Sequence, residues 1–174
     1  AQKNPDLSDE EGAKVARAVG IGALKYADLS NDRVKDYVFD WNRMLAFEGN
    51  TAPYLQNAYV RIQSIFRKSK ARGQPSAGAG ADIRITTPAE RGLALALLQF
   101  PSVIRSVASS LEPHRLCTYL YDLAAAYHKF YETCPVLNAD ADATRTSRLR
   151  LSALTAQTLK QGLDLLGIEV IDYM

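Results

Sequence analysis

The sequence predicts an all-α protein folded as an antiparallel helical bundle. Three observations predict it. Apolar residues recur at steps of three and four along most of the chain. The recurrent stretches open on helix-starting residues, with a glutamate three positions on or a proline close behind. Only one short stretch, the Tyr-Val-Phe of residues 37–39, is aromatic and β-branched in the manner of a strand.

Taken in order, Ser8 and Glu11 form a capping-box pair, and Val15, Val19, Gly22, Tyr26 and Leu29 follow at helical spacing. Residues 28–32 are a polar turn, and residues 37–39 leave room for one short strand. After the polar loop Glu48-Gly49-Asn50, Thr51 caps a helix that carries Pro53 in its first turn and the apolar stripe Leu55, Ala58, Ile62 and Ile65. Residues 69–86 read as a mobile loop, rich in Gly, Ala, Ser and Pro at its start.

Order restarts at Thr87-Pro88-Ala89-Glu90, a second capping box. Leu93, Leu97, Phe100 and Ile104 continue an apolar face, with a break expected at Pro101. Pro113 opens a helix whose seam is Leu116, Leu120, Leu123, Tyr127 and Phe130, and Pro135 ends it. Asp142 is the expected N-cap of a last helix that buries Leu149, Ala153, Ala156, Leu159, Leu163 and Leu166. Gly167 suits that helix's C-terminus, and Ile168, Val170, Ile171 and Met174 give the tail apolar groups with which to dock on the bundle.

The chain has 174 residues, 47% of them hydrophobic and 23% charged, which suffices for a real core and argues against disorder. Its net charge is only +2, but the charge is segregated: Asp6, Asp9, Glu10 and Glu11 lead, while residues 51–81 hold no acid at all. Such a local basic patch bears more on nucleic-acid binding than the total. Cys117 and Cys134 have no metal-ligand spacing, so no metal site is expected and both read as reduced thiols of a cytoplasmic protein. No apolar run approaches the roughly 20 residues of a membrane span, and the polar first residues do not resemble a signal peptide.

Catalytic signatures are missing. His114 and His128 stand in no nucleophile–base or metal motif, no glycine loop has phosphate-binding spacing, and Gly20 with Gly22 lacks the rest of a dinucleotide fingerprint. The helix after Thr51 is the informative stretch. Gln56, Asn57, Arg61, Gln63, Ser64 and Arg67 stand off its apolar stripe and run into Lys68, Lys70 and Arg72. Amides, hydroxyls, tyrosines and cations on one helix suit an anionic ligand that bears bases.

Three runs carry a family resemblance: YADLSNDRVKDYVFDWNRMLAFEGNTAPYLQNAYVRIQSIFRK, LCTYLYDLAAAYHKFYETCPVL and LRLSALTAQTLKQGLDLLGIEVIDYM. Together they resemble the C-terminal part of arginyl-tRNA synthetases, which are class I enzymes. The resemblance implies an anticodon-binding helical bundle over residues 46–174, preceded by a connecting, stem-contacting region over residues 1–45. The parent reaction would attach arginine to its tRNA with ATP and magnesium in protein biosynthesis. Neither the His-Ile-Gly-His-like signature nor the lysine loop of the catalytic domain is present. This chain alone is therefore expected to hold no cofactor and to be catalytically inactive. The Asp-Ala-Leu-Arg run that names the anticodon-binding family is also missing.

The implied partners are the anticodon loop of arginine-specific tRNA and the remainder of the synthetase chain, in a monomer. The positions matching the family's pocket for the central anticodon cytosine are Arg67, Tyr131 and Met174. Asn50 lies in a loop matching one that bulges beside the anticodon, and Tyr54 matches a family aromatic. Asn57 stands where some relatives carry tyrosine. Lys68, Lys70, Arg72, Arg145 and Arg148 would attract phosphates without reading sequence. Read from the residues alone, the better reading is that Tyr131 closes the bundle seam beside Phe130 and that Arg67 is an ordinary exposed arginine. The competing function is a helical protein–protein adaptor without catalysis.

Overall fold

A computed structural model describes residues 8–74 and 82–173. Helix α1 spans Asp9–Leu29, α2 Trp41–Met44, α3 Ala52–Ala71, α4 Pro88–Ser110, α5 His114–Thr133 and α6 Asp142–Leu165. Helices α3, α4, α5 and α6 pack on one another around the core, and α1 lies chiefly against α3. The all-α expectation holds, with no strand among the described residues.

The starts of the helices are chemically marked. Ser8 and Glu11 make the reciprocal box, Thr51 Oγ1 accepts from Tyr54 N, and Thr87 pairs with Glu90 at the head of α4. Each arrangement satisfies N–H groups that the first turn leaves without an intrahelical partner. At the far end of α6, Gly167 adopts φ +68° and the Ile168 N–H returns to the Leu163 carbonyl at 2.9 Å, which stops the helix and turns the chain.

The core is the seam read from α5 (Leu116, Leu120, Leu123, Tyr127 and Phe130) meeting Leu55, Ile62 and Ile65 of α3 and Leu149, Leu159 and Leu163 of α6. Gly162 on α6 is required by closeness: a Cβ there would lie 2.5 Å from Leu120 Cδ2. Both cysteines are buried and unpaired, and burial pushes the Cys117 thiol up to about 12.

Several sequence expectations need correction. Residues 37–39 form no strand; the Tyr37 hydroxyl donates to Asp28 and no neighbouring strand offers a ladder. The loop expected from residue 69 begins later, because α3 continues to Ala71 and buries Ser69; residues 75–81 lie outside the described residues. Helix α4 runs unbroken through Pro101. That proline is exposed, and the helix is held on both sides of it by Leu97 and Phe100 before it and Val103 and Ile104 after it, all packed against the core. Asp142 is the first helical residue rather than the cap, which is Ala141.

Arg148 is not a phosphate-seeking surface cation. Its Nε donates to Glu90 Oε1 at 2.7 Å and its Nη1 to the Pro135 carbonyl at 2.9 Å. Glu90 is 0% exposed and also accepts from Thr86 N, Thr86 Oγ1 and Thr87 N. Burial pushes its carboxyl upward. The hydrogen bonds from Arg148, Thr86 and Thr87 outweigh that and hold it below the usual carboxylate value. Arg145 is also turned inward, with its side chain 15% exposed and paired to Asp142.

Helix α4 is also the one described helix long and apolar enough to cross a membrane by length and composition, with mean hydropathy 1.3. Gly92, Gln99, Pro101 and Ser102 interrupt its apolar residues, and its alanines, leucines and valines raise the average. Its first turn carries the buried Glu90–Arg148 pair, and its inner face packs on α5.

Candidate nucleic-acid interface

Helix α3 uses its circumference twice. The row Leu55, Ile62 and Ile65 goes to the core. The row Asn57, Arg61, Ser64 and Lys68, at steps of four, three and four, makes a second line on its surface. That second row forms one wall of an open cleft of about 780 Å³. Tyr131 and Glu132 at the end of α5, residues 135–138 and Tyr173 complete it.

The cleft is cationic. Arg61, Arg67, Lys68 and Arg72 line it, against one carboxylate, Glu132. It is also aromatic. The Tyr131 ring stacks on Tyr127 with centroids 6.4 Å apart and remains 39% exposed, so part of it is open to a ligand. Tyr127 itself is buried; burial raises its hydroxyl well above a phenol's usual value, and it donates to Ser152 Oγ at 3.3 Å.

Arg61 is held above Tyr131, its guanidinium carbon 5.7 Å from the ring centroid. Arg61 Nη1 lies 2.9 Å from His128 Nδ1, and His128 Nε2 lies 3.0 Å from Glu132 Oε1. Arginine can only donate, so Nδ1 accepts and Nε2 carries the proton toward Glu132. In this arrangement one side chain orients the next.

On the opposite side, Arg67 Nη1 donates to the Asp172 carbonyl at 2.9 Å and its guanidinium covers the Tyr173 ring. The segment carrying Tyr173 is tied down elsewhere too. Gln56 Nε2 donates to the Glu169 carbonyl at 2.8 Å, Lys25 donates to the Gly167 carbonyl, and Ile168 and Ile171 are buried. The tail docks as its apolar residues predict. Arg72 Nη1 donates to Asn138 Oδ1 at 2.8 Å and fixes the remaining wall.

Of the residues singled out from the sequence, Arg67, Tyr131, Asn57, Lys68 and Arg72 come together here. Tyr54 lies in an adjoining recess that shares Asn57 and Arg61 with the cleft, its ring 5.5 Å from that of Tyr121. Four others lie elsewhere. Asn50 accepts from the Tyr26 hydroxyl at 2.6 Å in a recess beside α1. Lys70 lines a groove with Phe66 and Ala153. Arg145 and Arg148 line neither and are committed to Asp142 and Glu90. Met174 lies outside the described residues. Sequence reasoning placed Arg61 on the polar face of α3 without giving it a role, and it did not single out Tyr173 or Asn138. The spacing of Arg61 from Asn57 and Lys68 was the available signal for the first; the other two had none.

Comparison with known proteins gives two family matches. Residues 55–174 match the DALR anticodon binding domain, and residues 1–41 match the catalytic domain of class I (R) tRNA synthetases. The chain is 55% identical over 174 residues to the arginine–tRNA ligase of Chromobacterium violaceum, covering 100% of this chain and 29% of that protein. It is 56% identical over 174 residues to the arginine–tRNA ligase of an Enterobacter species, covering 100% and 30%. Among solved structures, Thermus thermophilus arginyl-tRNA synthetase superposes with a TM-score of 0.86 at 38% identity over 99% of this chain and 29% of that one. The Plasmodium falciparum arginyl-tRNA synthetase superposes with a TM-score of 0.83 at 34% identity, over 92% and 28%. The chain thus spans less than a third of the length of each of these four relatives.

Proposed function

The chain belongs to the DALR anticodon-binding domain family, and from that premise we propose that it grips the anticodon loop of tRNA as part of an arginine–tRNA ligase. The observation that carries this reading is the cleft between α3, α5 and the tail, where exposed Tyr131 stands among four cations. An anticodon loop supplies what such a cleft accepts: a curved row of phosphates and unstacked bases.

The division of labour follows from the geometry. Lys68 and Arg72 attract phosphate and carry no sequence information. Tyr131 offers the exposed part of its ring, and Arg61, held by His128 over that ring, orients it and adds a cation beside it. Asn57 and Asn138, which line the same cleft, are the amides available to a base edge. Arg67 positions Tyr173 and closes the far wall.

Arginine attachment, with ATP and magnesium, is assigned in this reading to the remainder of a longer ligase chain. The whole would work as a cytoplasmic monomer on arginine-specific tRNA. No observation favours the adaptor reading.

The test is an NMR titration of the chain with an arginine anticodon stem-loop. Shifts should concentrate on Asn57, Arg61, Tyr131 and Tyr173. Shifts confined to α4, or no binding, would refute the reading.

A further inference from the structure

We infer that Glu132 and His128 are positioning residues for RNA reading: Glu132 fixes the tautomer of His128, and His128 so fixed holds Arg61 over the Tyr131 ring. The inference rests on the functional reading above and gives a task to the one carboxylate in a cationic cleft.

Glu132 is out of place by charge. Arg61, Arg67, Lys68 and Arg72 line the cleft with it, and a carboxylate there opposes the attraction of phosphates. Yet among the described residues Glu132 pairs with none of these cations. Its Oε1 lies 3.0 Å from His128 Nε2, one turn back on α5. The other ring nitrogen, Nδ1, lies 2.9 Å from Arg61 Nη1 of α3. A lysine at position 128 would also pair with Glu132, but it has no lone pair to offer Arg61. An imidazole can serve both neighbours, accepting at one nitrogen and donating at the other.

The direction of the chain matters. A neutral imidazole has two tautomers, and only the one protonated at Nε2 accepts from Arg61. Glu132 selects that tautomer, because an ionised carboxylate can only accept. Arg61 is thereby tied at its tip, where a long side chain would otherwise sample many rotamers. Tyr127 and Tyr131 repeat on α5 the spacing of His128 and Glu132. One arginine from α3 thus meets a ring of the first pair and the imidazole of the second. The repulsion that one negative charge adds to the cleft is offset by a ring and a cation held in fixed relation.

These contacts add little to folding. The side chains of His128 and Glu132 are 47% and 61% exposed, and exposed pairs contribute little to stability. Substitutions here should therefore act on RNA reading and leave the melting temperature unchanged.

The test measures affinity for an arginine anticodon stem-loop and for an unrelated hairpin, their ratio being the preference. Glu132→Gln removes the charge and keeps an acceptor for His128; both affinities should rise and the preference should stay. Glu132→Ala removes charge and acceptor together. Its affinity for the unrelated hairpin should rise as much, while the preference falls about two- to five-fold, the worth of one exposed cation–ring contact. His128→Ala should lose the same preference, and adding Glu132→Ala to it should take away no more. His128→Asn, whose Oδ1 falls near the place of Nδ1, should recover most of it. In the free chain, the ring-nitrogen NMR signals of His128 should show a proton on Nε2 and none on Nδ1, and Glu132→Ala should mix the two tautomers.

Equal preference in Glu132→Ala and Glu132→Gln would reduce Glu132 to a charge and overturn the inference. So would His128→Asn behaving as His128→Ala, or a wild-type ring protonated at Nδ1. A melting temperature that falls together with the preference would make the pair a structural contact instead. Failure of the functional reading shows separately, as a wild-type chain with no preference for the stem-loop; the ring-nitrogen signals need no RNA and still decide the tautomer.

Discussion

The guanidinium carbon of Arg67 lies 4.5 Å from the centre of the Tyr173 ring. Together with the Arg67–Asp172 hydrogen bond, which spans 105 positions of sequence, this contact joins α3 to the tail. A flat cation over a ring, with one N–H on a carbonyl, needs the planar fork of arginine; a lysine keeps the charge and loses the plane.

Arg67→Ala should therefore loosen residues 170–173, read as faster amide exchange there, and weaken stem-loop binding by about 1–3 kcal/mol. Arg67→Lys should repair the general attraction for RNA but not the exchange protection. If Arg67→Lys behaves as wild type in both measurements, Arg67 acts as a charge alone.

The buried pair Glu90–Arg148 should govern acid stability. Glu90's folded carboxyl titrates below its ordinary value of 4.5, so its contribution is complete above that value and is lost as pH falls through the folded value. Melting temperature should thus drop as pH goes below 4.5. Glu90→Gln should cost about 3–5 kcal/mol at neutral pH, because it leaves Arg148 buried without its charge partner, and it should flatten that part of the acid limb. An unchanged acid limb in Glu90→Gln would assign the pH dependence to other carboxyls.

Gly162→Ala tests the contact of α6 with α5. The new Cβ would meet Leu120 Cδ2 at 2.5 Å inside the core, and the overpacking should cost about 1–3 kcal/mol by denaturant unfolding. Leu120→Ala alone opens a cavity and should cost about 2–5 kcal/mol. The double variant should be more stable than the sum of the two losses implies, since the added methyl enters the space that leucine left. Strict additivity would place the strain elsewhere.

The helices were legible because their ends are local chemistry: Ser8 with Glu11, Thr51 with Pro53 and Thr87 with Glu90 each sit within a few residues. The α5 seam was legible for the same reason, since one helix face repeats in sequence. What escaped was set by distant partners. Arg148 reads as a free cation until the fold brings Glu90 to it, 58 positions away. Pro101 reads as a break until packing on both sides of it is known. Residues 37–39 have strand composition, but a strand needs a partner, and a hydroxyl on Asp28 took its place. In the cleft, Tyr131 and Arg67 came from family resemblance, while Arg61 acquires its place only through His128 and Tyr131 on a different helix.

The account stands most directly on one measurement, the affinity of wild type and Tyr131→Ala for an arginine anticodon stem-loop across a range of salt. The wild-type affinity should fall linearly on a log–log plot, with a slope of about −0.7 for each single-strand phosphate neutralised. Tyr131→Ala should lose about 1–3 kcal/mol, the worth of one stacked base, at every salt concentration while keeping the slope, because it removes a ring and no charge. Wild-type binding no tighter than to an unrelated hairpin, or a Tyr131→Ala protein that binds as well as wild type, would contradict the assignment of this cleft to the anticodon.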